Sequence, residues 1–64
     1  MVARERFEVL PDLAGGWMVW DKQLDAPAIF SQITLDGLSA REAKSLTALL
    51  NAQWRALRVF RQAS

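Results

Sequence analysis

The stretch Ser39–Gln62, SAREAKSLTALLNAQWRALRVFRQ, decides the fold. It opens with a capping box. Ser39 accepts from the Glu42 amide while the Glu42 carboxylate reaches back to the Ser39 amide, satisfying two donors that a first helical turn leaves without partners. Leu38, just before the cap, and Ala43 in the next turn form a small hydrophobic staple. No Gly or Pro follows, and Ala, Leu, Arg, Gln and Lys favour helix, so one helix is expected over 39–62 with its first turn at Ala40. At 1.5 Å per residue it runs for about 34 Å. Five-residue strands are only about 17 Å long, so the final turns of the helix are expected to project beyond any sheet it covers.

At about 100° per residue, Ala43, Leu46, Leu50, Trp54, Leu57 and Phe60 fall on one line with the spacing of a core-facing helix. Trp54 and Phe60 therefore read as core or interface aromatics. A second line, Leu49, Ala52, Ala56, Val59 and Ala63, lies beside it and widens the apolar arc to about 200°. One small sheet cannot cover that arc. The short side chains of Ala52 and Ala56 would let a second helix approach closely, which predicts a symmetric dimer. Its expected interface is Leu49, Ala52, Ala56, Val59 and Ala63, joined by Trp20 from the outer face of the sheet. Lys44, Asn51, Arg55, Arg58 and Gln62 converge on the side opposite the first line. Of these, Lys44, Arg55 and Arg58 are candidates for contact with nucleic-acid phosphates, and the same stripe also reads as a solvated face.

Upstream of the helix, Phe7 and Val9 alternate with Arg6, Glu8 and Leu10 as in a half-buried strand that Pro11 ends. Pro11-Asp12-Leu13-Ala14-Gly15-Gly16 supplies a hairpin loop of about four to six residues, with both glycines free to take positive φ. Trp17-Met18-Val19-Trp20 is the return strand, apolar on both faces. Asp21 to Pro27 reads as a polar connection, Ala28 to Ile33 as a short third strand, and Thr34 to Leu38 as a turn. The expected architecture is α+β: a two- or three-stranded antiparallel sheet within 6–33, packed on one long C-terminal helix, as a single domain over 1–64.

A chain of 64 residues with no cysteine and no histidine has no disulfide, thiolate or imidazole site to staple it. Domains near this size bury only about 60% of the surface of the unfolded chain, and self-association is a usual remedy. A hydrophobic content of 52%, with three Trp and three Phe, argues against disorder. No apolar run approaches the roughly 20 residues of a membrane span and no signal-peptide core is visible, so a cytoplasmic location is expected. The net charge of +1 divides unevenly, at −3 over residues 1–36 and +4 over 37–64. Such asymmetry fits either a basic nucleic-acid surface or complementary ends that attract each other.

Catalysis finds few residues to use, since His, Cys and Tyr are all absent. Ser39 is taken by its role as a helix cap. Asp12, Asp21 and Asp25 lack the spacing of a calcium loop and read as turn aspartates. Gly15-Gly16 is not followed by the elements of a phosphate loop. No enzyme activity, metal or cofactor is expected.

The order Phe7-Glu8-Val9-Leu10-Pro11, Gly15-Gly16-Trp17-Met18-Val19 and a capped helix with Ala43 resembles small bacterial hairpin-plus-helix domains of unknown function. It is distantly similar to antitoxins of the HicB type. The resemblance spans residues 6–52 and carries over no functional residue. The antitoxins' proline-aspartate-leucine-proline-glycine segment after the second strand is missing here, and no separate DNA-binding domain follows. Two functions are thus expected to compete. One is a homodimeric interaction or adaptor module, with an unidentified protein partner as a further option. The other is an antitoxin-like or phage-type nucleic-acid-binding regulator acting through the basic helix residues.

Overall fold

A computed structural model describes residues 5–63, and the side chains of residues 5–59. The fold is α+β, with a three-stranded antiparallel sheet, a separate two-stranded ribbon and one long C-terminal helix. Strand β1 (Phe7–Pro11) pairs antiparallel with β2 (Trp17–Asp21), Val9 facing Val19 and Phe7 facing Asp21. Strand β3 (Ala26–Pro27) adds a short third strand to β2. The helix α1 (Ala40–Ala63) lies across β1 and β2. Its N-terminus carries the expected capping box, with Ser39 Oγ 3.1 Å from the Glu42 amide and Glu42 Oε1 3.0 Å from the Ser39 amide. Those amide and hydroxyl bonds hold the Glu42 carboxyl below its usual range.

The loop from Asp12 to Gly16 is tied by its aspartate. Asp12 accepts from the Ala14 amide at 2.8 Å and, across the molecule, from the Gly37 amide at 2.7 Å, so one carboxylate joins the hairpin loop to the turn before the helix. Both bonds lower its pKa. Gly15 takes the left-handed conformation at φ 96°, as the turn requires. Gly16 does not, and its reason is different. A Cβ there would lie 3.1 Å from the Leu38 carbonyl oxygen, because Trp17 and Leu38 exchange backbone hydrogen bonds alongside it.

The expected third strand over residues 28–33 is split. Ala28 donates to the Val19 carbonyl at 2.8 Å, continuing the edge begun by Ala26–Pro27. The chain then leaves the sheet as a ribbon of β4 (Ile29–Phe30) and β5 (Ile33–Thr34), and returns at Leu35. There Leu35 accepts from the Val19 amide and donates to the Ala28 carbonyl, so the excursion begins and ends on the same β2 residue. The tip is Ser31 (φ 52°) and Gln32 (φ 67°), two left-handed residues that make the tight turn between β4 and β5.

The core is small: Val19, Ala28, Leu35, Ala43 and Leu50, flanked by half-buried Phe7, Val9, Phe30, Leu38 and Leu46. The buried line of the helix is turned by roughly 50° from its apolar line. Ala43, Thr47, Leu50, Asn51 and Trp54 face the sheet, while Leu57 is 53% exposed. Two polar attachments account for the rotation. Asn51, 6% exposed, accepts from the Phe7 amide at 2.8 Å and donates to the Phe7 carbonyl at 3.0 Å. Trp54 receives the Arg6 guanidinium over its ring, 4.6 Å from the centroid. Beyond Trp54, every residue from 55 to 59 is exposed, so the helix does outrun the sheet.

Candidate functional site

Two surfaces stand out. The first is the face of α1 turned away from the sheet. Leu49, Ala52, Ala56 and Val59 are all exposed, Leu49 at 43% and Val59 at 66%. They do not lie beside the buried line, as the periodicity suggested, but nearly opposite it, because Asn51 and Trp54 turn the helix. The result is an apolar strip in water, separated from the core by the full width of the helix. The side chains of Phe60, Gln62 and Ala63 lie outside the described residues. Trp20 is half-buried on the sheet face opposite the helix, where the register sets it between Glu8 and Pro27.

The second surface is a cleft of about 510 Å³ between the end of β2 and α1, lined by Glu5, Arg6, Lys22, Gln23, Trp54 and Arg58. Its base is a fixed stack. Arg6 donates from Nε and Nη2 to the two carboxylate oxygens of Asp21 at 2.9 and 2.8 Å, while its guanidinium lies over Trp54 and near Phe7. Asp21 is only 3% exposed. Burial alone would raise its pKa, but the Arg6 bond and charge, with the Leu24 and Gln23 amides, outweigh it and hold the carboxyl below its usual value. The same bonds make Asp21 a turn aspartate, as Asp12 is.

The basic stripe expected on the helix does not assemble. Asn51 points into the fold against β1, which breaks the line between Lys44 and Arg55. Arg55 is taken up by an ion pair with Glu5. Arg58 turns towards the cleft, where it joins Lys22, a residue from the other end of the chain. Lys44 is left alone on the exposed surface. Sequence reasoning missed the cleft, since its residues are 54 to 58 on the helix and 5 to 23 on the sheet, and no local spacing connects them. The one available signal was an acidic residue, Asp21, ending a strand whose partner is preceded by Arg6.

Among the described residues, no three carboxylates come together as a metal site and no helix is long and apolar enough to cross a membrane. The chain matches no protein-family model, no curated protein and no solved structure, so function has to be argued from these two surfaces themselves.

Proposed function

We propose that this chain is a small non-catalytic interaction module that works as a homodimer, pairing through the side of α1 turned away from the sheet. The observation that carries it is the exposed apolar strip Leu49, Ala52, Ala56 and Val59 on a helix whose opposite side already holds the core. The spacing is self-complementary. Leu49 and Val59 stand equally far from Trp54 along the helix, and so do Ala52 and Ala56. An antiparallel pair with its two-fold axis at that level sets Leu49 against Val59 of the partner subunit, and Ala52 against the partner's Ala56. Small residues meet in the middle, where the backbones come closest, and larger ones meet at the ends.

Two further observations support this reading. Arg55, close to the axis, is neutralised by Glu5, which lessens repulsion between two basic helices. The lack of His, Cys and Tyr leaves little for acid-base or nucleophilic chemistry. The strip spans only about 15 Å of helix axis, a small patch for a protein interface, so a weak, concentration-dependent dimer is expected.

Sedimentation equilibrium tests the proposal. The wild-type chain should approach twice its 7.2 kDa mass at a few hundred micromolar. Ala56→Glu should weaken the dimer by about tenfold or more, because it buries a carboxylate near the axis. A wild-type monomer at that concentration, or a dimer indifferent to the substitution, would overturn it.

A further inference from the structure

The cleft beside Trp54 carries a charge imbalance that the fold does not resolve. Arg6 is matched by Asp21 and Glu5 by Arg55, whereas Lys22 and Arg58 make no ion pair among the described residues. Glu5 also lines the concavity but is held by Arg55, which leaves Lys22 and Arg58 there as two cations with no ion-pair partner among the described residues. The donors around them point the same way. Arg6 spends Nε and Nη2 on Asp21, and its Nη1 makes no hydrogen bond among the described residues; the side chains of Lys22, Arg58 and Gln23 bring further N–H groups. Such an excess of donors over acceptors fits an anion with several oxygens. Beside the donors stands Trp54, an indole held in place by the Arg6 stack. The volume, about 510 Å³, lies within the roughly 300–1,000 Å³ typical of small-molecule sites.

We propose that this cleft binds the phosphate-bearing end of a nucleotide, with Lys22, Arg58 and Arg6 Nη1 donating to the phosphate and the part of Trp54 that Arg6 leaves uncovered lying against the base. The guanidinium of Arg6 is positioned before any ligand arrives, since Asp21 fixes its other edge; little ordering remains to be done there on binding. Arg58 and Trp54 lie on the flank of α1 next to the sheet, away from Leu49, Ala52, Ala56 and Val59. The two surfaces can therefore be occupied together, and a dimer presents the cleft twice. The phosphate could belong to a free nucleotide or to the end of a single strand, and the chemistry at the cleft is the same.

The test is titration of the full chain, followed by amide and indole shifts in nitrogen-proton correlation spectra and by calorimetry. The probes are adenosine monophosphate, adenosine, inorganic phosphate and a short oligothymidylate. The nucleotide should shift the Trp54 indole, identified with Trp54→Phe, and the Lys22 and Gln23 amides, more tightly than adenosine or phosphate. Lys22→Glu and Arg58→Glu, both at exposed side chains, should each weaken binding by about tenfold. Arg41→Glu, an equal charge change far from the cleft, should stay within about twofold of wild type. Tighter binding of the oligothymidylate would identify a strand as the source, and tighter binding of the nucleotide a free ligand; both support the site. Absence of cleft shifts at millimolar nucleotide and oligothymidylate would overturn it. So would inorganic phosphate binding as tightly as the nucleotide, or an Arg41→Glu loss equal to that of Arg58→Glu.

Discussion

Asn51 is the side chain whose replacement should cost the fold most for its size. Its amide meets both polar groups of one peptide unit edge on, accepting from the Phe7 N–H at 2.8 Å and donating to the Phe7 C=O at 3.0 Å. Asn51→Ala removes two hydrogen bonds, each contributing about 1 kcal/mol net, and leaves a partly buried N–H and C=O seeking water. The expected loss is about 2–4 kcal/mol. A domain of this size has only roughly 3–10 kcal/mol in total, so the variant should sit near the edge of stability. Urea unfolding followed by tryptophan fluorescence reads this directly. With a slope of about 1 kcal/mol per molar, the midpoint should fall by about 2–4 M, or the variant should be unfolded at the start. Asn51→Asp separates hydrogen bonding from packing. A carboxylate can still accept from the Phe7 N–H but opposes the Phe7 carbonyl, whereas the protonated acid can donate to it. Its folded-state pKa is therefore raised, and stability present at low pH is lost as pH rises through that value. Relative to wild type at the same pH, Asn51→Asp should be much weaker at pH 7 than at pH 4. A loss under about 0.5 kcal/mol for Asn51→Ala, or no pH dependence for Asn51→Asp, would refute the pairing.

Thr47 Oγ1 is buried with no hydrogen-bond partner among the described residues, so Thr47→Val should stabilise by about 1 kcal/mol in the same urea assay, and a loss would mean that the hydroxyl is satisfied. Gln32 holds φ 67° without being glycine, so Gln32→Gly should raise the melting temperature by a few degrees, equivalent to about 1 kcal/mol; a fall would contradict a strained turn. Asp12, Asp21 and Glu42 all have folded pKa values below their ordinary 3.8, 3.8 and 4.5. Each therefore contributes stability that is fully present above its unfolded value and is lost as pH falls through the folded one. Thermal melts should be flat from about pH 7 to 5 and decline below about pH 4, and a melting temperature that held constant to pH 3 would contradict these bonds.

The helix and the hairpin were legible because their signals are local. Ser39 and Glu42 announce a helix start by spacing alone, and Pro11 to Gly16 announces a turn by residue type. The ribbon at 29–34 was not, because its turn is built from Ser31 and Gln32, which carry none of the Asn-Gly chemistry that marks such turns. Ala28 and Leu35 gave no hint that they would meet on Val19. The rotation of the helix was also hidden. Periodicity weighs Asn51 as polar and therefore outward, yet its amide is worth more against the open peptide of Phe7 than in water. With the Arg6–Trp54 stack, that attachment turns the helix, exposes Leu57, and decides which basic residues share a surface.

The three-stranded sheet has little edge to offer another chain, if "edge" means outward N–H and C=O groups in a row. On β1, antiparallel alternation turns Phe7, Val9 and Pro11 outward. Asn51 closes the first, and Pro11 has no N–H to give. The peptide groups of Val9 and the carbonyl of Pro11 remain. On the far side, Ala28, Leu35 and Leu38 occupy β2, and β3 itself is two residues long and ends in Pro27. Among the described residues, the three-stranded sheet therefore offers a second molecule almost no template on which to add a strand. A homodimer of the kind proposed would then be joined by side chains meeting side chains, with its strength adjustable by single substitutions.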